Sequence, residues 1–174
     1  MTRLANTWLF LLLCLPASVL AKQSDLEQPI QIHADSVEMR EKEGISIYKG
    51  KVEITQGSLL LTGDTITIHS TPEGISTIVV TGSPAKYSQL NDQNQTIRAH
   101  SNIMDYSRQT GLLQLKGDAL LEQDQSRFSS NHIIYDTHTD VVQAGGEKTQ
   151  PGEEDKSRVS ITIKPEKPRE TSNP

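Results

Sequence analysis

The chain has 174 residues, 34% hydrophobic but only 4% aromatic, and 22 Asp and Glu against 17 Lys and Arg give it a formal charge of −5. That acidity, with no basic stripe, excludes the phosphate contacts that nucleic-acid binding requires. A single cysteine excludes an internal disulfide framework.

In chain order, Arg3 precedes the apolar run WLFLLLCLPASVL, which is short for a bilayer span, and Val19 to Ala21 ends it with a small-residue cleavage pattern. Residues 1–21 are therefore expected to be a cleaved secretory signal, with Lys22 the first mature residue. A lipoprotein signal at Cys14 is the rival reading, although Leu13 is bulky where such a signal needs a small residue. Cleavage removes Arg3, Trp8 and Cys14 together and moves the formal charge from −5 to −6. An exported chain without disulfides depends on packing and backbone pairing, and roughly 150 residues suit one domain with a sizeable core.

Residues 22–29 form a polar lead, and from there to about residue 143 the pattern is that of strands. Apolar residues alternate at Ile30/Ile32, Val37/Met39, Ile45/Ile47, Val52/Ile54, Leu59/Leu61, Ile66/Ile68, Ala85/Tyr87 and Leu113/Leu115. TPEG at 71–74, LNDQNQ at 90–95 and SRQTG at 107–111 have hairpin-loop composition. The expectation is an all-β domain of many short strands over residues 30–144. Residues 145–174 form a polar tail, with one candidate last strand at 159–164.

Two offset patterns recur above the alternation. GKVEITQ, GSPAKYSQ and GDALLEQ begin at Gly50, Gly82 and Gly117, while Asp35, Asp64, Ser101 and Asn131 each precede a Val or Ile by two places. A period near thirty residues indicates stacked repeats that share one core, with the glycines at corners and the Asp, Ser and Asn bonding locally to turns.

Candidate chemistry is sparse. His132, Asp136 and His138 are spaced for one face of a strand, but a turn is expected at DTHTD and no further ligand cluster supports a metal. His33, His69 and His100 stand singly at strand edges. Asp105 and Asp136 are the carboxylates that glycan cleavage would need, and neither a nucleophile elbow nor a Gly-rich phosphate loop is present. No catalytic residue, metal or cofactor is assigned. The aliphatic stripe along successive strands is either a dry core or a trough open along one side, and periodicity does not separate the two.

QPIQIHADSVEM, then YKGKVEITQGSLLLTGDTITI, GSPAKYSQ and IRAHSNIMDYSRQTGLLQLKGDALLEQ together resemble the OstA-like family of lipopolysaccharide-transport domains, which includes LptA, LptC and the N-terminal domain of LptD. The resemblance covers about residues 28–143 and rests on the order of short motifs. It implies a β-jellyroll, an open twisted stack of antiparallel strands, that binds lipopolysaccharide in the periplasm by its lipid A acyl chains. It also implies joining end to end, with LptC on the inner-membrane side, LptD on the outer-membrane side, and head-to-tail self-association. Under it the expected lipid-facing residues are Ile30, Ile32, Val37, Met39, Val52, Ile54, Leu61, Ile66, Ile68, Tyr87, Ile103, Leu115, Leu121 and Phe128. Ile30 and Ile32 double as the edge for the inner-membrane partner, and Val141 and Val142, with Ile161 and Ile163, are candidates for the opposite end. The alternatives are a polysaccharide-binding or polysaccharide-cleaving β-solenoid, which the lack of tryptophan platforms disfavours, and a purely structural adaptor.

Overall fold

The alternation of this chain is interrupted at regular places, and those interruptions shape the sheet. The computed structural model describes residues 25–145 and 158–164; the expected signal segment lies outside them. The strands are β1 (Gln31–His33), β2 (Ser36–Arg40), β3 (Ile45–Gln56), β4 (Leu59–Thr71), β5 (Gly74–Leu90), β6 (Thr96–Ser107), β7 (Leu112–Gln123), β8 (Ser126–Asp136), β9 (Val141–Ala144) and β10 (Ser160–Ile163). Single 3₁₀ turns lie at Asp25–Glu27 and Glu41–Glu43. Among the described residues no helix is long and apolar enough to cross a membrane.

All strands pair antiparallel in one ten-stranded sheet, with β3 to β8 following in sequence order. Short strands cover both edges. β1 and β2 lie end to end along β3, and β10 and β9 lie end to end along β8. The two edges do not pair with each other, so the sheet stays open. This is the expected open β-jellyroll, with one difference in grain. The short strands expected in the middle of the chain are fused into long ones, from 11 residues in β8 to 17 in β5, each bent near its centre.

The bends line up across the sheet. Register shifts fall between Lys49 and Val52, Thr62 and Thr65, Thr81 and Ala85, His100 and Ile103, and Lys116 and Ala119. In β3, β5 and β7 the bend follows Gly50, Gly82 and Gly117, the glycines of the first sequence pattern. Gly50 and Lys51 have φ of +82° and +45°, and Gly117 and Asp118 have +75° and +47°, backbone that glycine adopts without strain. Gly50 also has no room for a Cβ, because the Asp35 carboxylate fills that space while the Asp35 N–H donates to the Lys49 and Gly50 carbonyls at 3.1 Å. In β4, β6 and β8 the bend instead places two successive residues outward, Asp64–Thr65, Asn102–Ile103 and Asn131–His132, before Ile66, Met104 and Ile133 turn in.

The line of bends divides the sheet into two arms, one carrying β2 and β9 and the other β1 and β10. Buried residues of both arms form one hydrophobic cluster, so the sheet is folded onto its own apolar face. The turns at Pro72–Glu73, Asn91–Gln95 and Arg108–Gly111 close the hairpins where loop composition places them.

Two substitutions test this account by urea denaturation. Leu115→Ala, at a side chain with no solvent exposure, is expected to cost about 2–5 kcal/mol. Gly50→Ala is expected to cost at least about 1–2 kcal/mol through its left-handed backbone alone, and a loss near zero there would mean that the bend is not fixed by this glycine.

Candidate functional site

Directly opposed residues of an antiparallel pair share a face, so the register identifies what lines the interior. In the arm of β2 and β9, one row runs Val37, Tyr48, Ile66, Val80, Met104, Leu115, Ile133, Ala144. The next runs Met39, Ser46, Ile68, Ile78, Tyr106, Leu113, Tyr135, Val142. In the other arm a row runs Ile32, Ile54, Leu61, Tyr87, Ala99, Leu121, Phe128, Ile161. Each row crosses the whole sheet, and apart from Ser46 and the tyrosine hydroxyls it carries no polar group.

Burial along the rows is graded. The middle is sealed, with Leu61, Ile66, Val80, Met104, Leu115 and Leu121 all at 0% exposure. The ends are open, with Val37 at 53%, Met39 at 60% and Ile161 at 55%. The apolar interior therefore emerges at both edges of the sheet.

Between the arms lies a cavity of about 430 Å³, lined by Tyr87, Ile97, Tyr106 and Tyr135 together with Asp25, Gln89 and His138. All three tyrosines are buried on the inward rows. Tyr87 donates to Gln89 Oε1 at 2.5 Å and Tyr135 to Asp140 Oδ1 at 2.6 Å. Burial raises the ionisation of all three phenols above the ordinary range, and the hydrogen bond to Asp140 adds to this at Tyr135. All three stay neutral donors at physiological pH. The N-terminal turn closes one side: Asp25 accepts from the Ser58 N–H at 3.0 Å, from the Ser58 hydroxyl and from Gln89 Nε2 at 3.1 Å. Gln56, itself buried, donates to the Gln28 carbonyl at 2.9 Å.

Of the residues singled out from sequence, the rows hold Ile32, Val37, Met39, Ile54, Leu61, Ile66, Ile68, Tyr87, Leu115, Leu121 and Phe128. Val52 is buried beside the bend, and Ile30 packs half-buried against the same cluster. Ile103 is a correction. It opposes Thr81 and Lys116 on the outer face and is 42% exposed, because Ser101 rather than Asn102 is the inward residue before the bend. Aligned by structure, Gly63, Ser101 and Ser130 are equivalent, so the inward residue after the bend is Met104.

Sequence reasoning also passed over Val80, Ile133 and the pairing of Tyr106 with Tyr135 around the cavity. Val80 was legible in its alternation with Ile78. The meeting of three tyrosines from β5, β6 and β8 was not. Val142 faces inward and Val141 outward at 48% exposure on β9, while Ile161 and Ile163 lie on β10, the latter 71% exposed.

The histidines and carboxylates weighed for chemistry do not converge. Asp136 accepts the backbone N–H groups of His138 and Thr139 at 2.9 and 3.1 Å; the first of these leads in holding its carboxyl below the usual range. His138 packs on Gly111, and His132 opposes Lys116 on the outer face. Among the described residues no group of three or more His, Cys, Asp or Glu is placed to hold a metal ion.

The profile of the family described as LptA/(LptD N-terminal domain) LPS transport protein matches residues 31–141. The lipopolysaccharide export system protein LptH of Pseudomonas aeruginosa is 33% identical over 150 residues, covering 85% of this chain and 86% of that protein. LptA of Escherichia coli strain K12, also a lipopolysaccharide export system protein, is 24% identical over 155 residues, covering 88% and 80%. The crystal structure of LptH, titled as the LptA-homologous periplasmic component of the lipopolysaccharide transport device of P. aeruginosa, superposes with a TM-score of 0.74 at 32% identity. That match covers 82% of this chain and 100% of that one. An open, folded sheet with an apolar interior, matched along its length in sequence and in structure, places the chain in the LptA/(LptD N-terminal domain) family of LPS transport proteins.

Proposed function

We propose that the chain is a periplasmic carrier that holds lipopolysaccharide by its lipid A acyl chains between the two arms, and that it joins other family domains edge to edge to bridge the inner and outer membranes. The observation that carries this reading is the set of apolar rows that cross the whole sheet and end exposed on β2 and β10. A self-contained domain has reason to terminate such rows with polar residues. A segment of a longer conduit has reason to leave them open.

The energetics favour a conduit over free diffusion. Burying one methylene is worth about 0.8 kcal/mol, so stripping one acyl chain of about a dozen carbons into water costs about 10 kcal/mol, and lipid A carries several. The cavity rimmed by Tyr87, Tyr106 and Tyr135 is the natural place for chains to enter, since its floor is already apolar and its hydroxyls suit a polar head at the surface. Lengthening the occupied space requires the arms to part along their open side, where Asn91 Nδ2 lies 3.5 Å from Asp140 Oδ2.

At the edges, the free sides of β1 and β2 suit an LptC-like partner, and those of β9 and β10 suit the N-terminal domain of LptD or the next copy. Open strand edges accept another strand through main-chain hydrogen bonds, and joining unlike edges gives an extendable, head-to-tail assembly. The expected cleaved signal at residues 1–21 supports a periplasmic location. A glycan-cleaving role lacks a supporting observation, because neither Asp105 nor Asp136 lines the cavity and Asp136 is engaged by the backbone N–H groups of the following turn.

Photo-crosslinking residues at Ile32 and Leu61, with Glu73 in an exposed turn as control, test lipid entry. Crosslinks to lipopolysaccharide at both apolar positions and none at Glu73 are expected; none at either, in a folded protein, would leave a dry core and overturn the carrier reading. The edges are tested separately by Val37→Asp and Ile161→Asp. Both sites are exposed, so folding stability should move by no more than about 0.5 kcal/mol. Pull-down of LptC should fall about tenfold or more with the first substitution alone, and pull-down of LptD with the second alone. Unchanged capture in both would reject these edges as the joints.

A further inference from the structure

The outer face of the arm that carries β1 and β10 holds a second concavity that the lipid reading does not use. Two cross-strand rows run along it: Leu60, Ser88, Arg98 and Glu122 in one, and Thr62, Lys86, His100 and Leu120 in the other. They flank a groove of about 390 Å³, within the ~300–1,000 Å³ typical of small-ligand sites. Leu61 and Leu121 of the inward row lie on the opposite face of the same strands, so the groove opens on the outer face, with Tyr87 and Ala99 of that row at its base.

Its charge is unusual for so acidic a chain. Lys86 opposes His100 directly, and Arg98 lies two residues from His100 on β6. Glu122 opposes Arg98 in register, yet its carboxylate is engaged by Arg127 at 3.3 Å. Among the described residues the side chains of Lys86, Arg98 and His100 have neither an ion-pair nor a hydrogen-bond partner. Unpaired cations in a concave, partly apolar wall concentrate positive potential where an anion would sit. The planar guanidinium fork matches phosphate oxygens, and an ammonium adds a point charge beside it. Leu60 and Leu120 border the cations with apolar surface, and Thr62 and Ser88 supply hydroxyls.

We propose that this groove binds a phosphate-bearing saccharide, with Arg98 and Lys86 on the phosphate, His100 and the two hydroxyls on ring substituents, and the leucines against the carbon face of the ring. Apolar flanks beside a cationic centre fit a sugar phosphate better than a bare anion, which has no use for them, or a neutral sugar, which has no use for the charge.

The test titrates the full exported protein, followed by amide NMR, with a de-acylated glucosamine disaccharide carrying phosphate monoesters. The comparison ligands are its dephosphorylated form, inorganic phosphate and glucose 6-phosphate. Saturable shifts at Lys86, Arg98, His100 and Leu120 are expected with the phosphorylated disaccharide. They should weaken about tenfold or more in Lys86→Gln/Arg98→Gln and fade with added salt. Tighter binding of the disaccharide than of glucose 6-phosphate would identify a lipid headgroup as the source; equal binding would identify soluble sugar phosphates, and either supports the site. Equal binding of inorganic phosphate, equal binding of the dephosphorylated sugar, or no saturable shift would each overturn it. Acyl crosslinking at Ile32 in the same double variant separates this site from the interior, because it should be unchanged whether or not the groove binds.

Discussion

A sheet that is apolar on one face must cover that face, and among the described residues the cover is the sheet itself. Everything else follows from how that folding is done. Bending each long strand at one shared line lets the two halves of the same strands face each other, so no second sheet or helix is needed, and the edges are left free. A closed barrel would satisfy the backbone at both edges but would seal the interior on all sides. The fold instead leaves an unclosed side between the arms and open strand edges, two features that cost stability in an isolated domain and make sense in a conduit.

The bend line also explains which parts of the sequence were legible. Glycine at 50, 82 and 117 marks three of the bends openly, because positive φ or close backbone approach selects that residue and little else. The bends of β4, β6 and β8 are marked only by small polar residues, and there the count slips: two outward residues in succession reverse the parity of everything that follows. A reading at strict period two places Ile103 inside; the bulge after Ser101 puts Met104 there instead. Ile45 and Ile47 lie outside for a different reason: β3 keeps one parity across its bend, so Ser46 and Tyr48 face in with Val52 and Ile54. Alternation identifies a strand reliably, but only the register across each bulge says which face is apolar. The strands and part of the interior were therefore readable from residues alone, whereas the open jellyroll came from the family resemblance and Ile78, Val80, Ile97, Met104 and Ile133 were left out of the inward set. The tyrosine-lined cavity was not readable, since Tyr87 of one arm meets Tyr106 and Tyr135 of the other only once the arms have folded together.

The sealed middle of the interior is compatible with a carrier because the seal is made of methyl and methylene groups rather than of polar bonds. Replacing one apolar contact by another, side chain by acyl chain, changes the hydrophobic term little. The cost lies in moving the arms apart, and what opposes it on the open side includes a polar fringe such as the Asn91–Asp140 contact. Surface hydrogen bonds of this kind contribute about 0.5–1.5 kcal/mol each, small beside the about 10 kcal/mol that one acyl chain gains on leaving water. Magnitude alone thus decides that lipid entry is set by the apolar term and only tuned by the fringe.

The two edges are not alike, and the difference favours joining unlike ends. At the edge of β1 and β2 the exposed apolar ends, Val37 and Met39, belong to the arm of β2, while Ile32 at the end of the other arm is half-buried. At the edge of β9 and β10 the pattern is exchanged: Ile161 is exposed on the arm of β10, and Val142 and Ala144 are half-buried on the arm of β9. In a junction that continues each arm in line, every exposed apolar end meets a half-buried one across the joint. A like-to-like junction would set Val37 and Met39 against their own copies and leave Ile161 in water. The hydrophobic gain is proportional to the apolar area removed from solvent, so the proposed head-to-tail arrangement would cover both exposed ends at each joint and keep the interior continuous from one domain to the next.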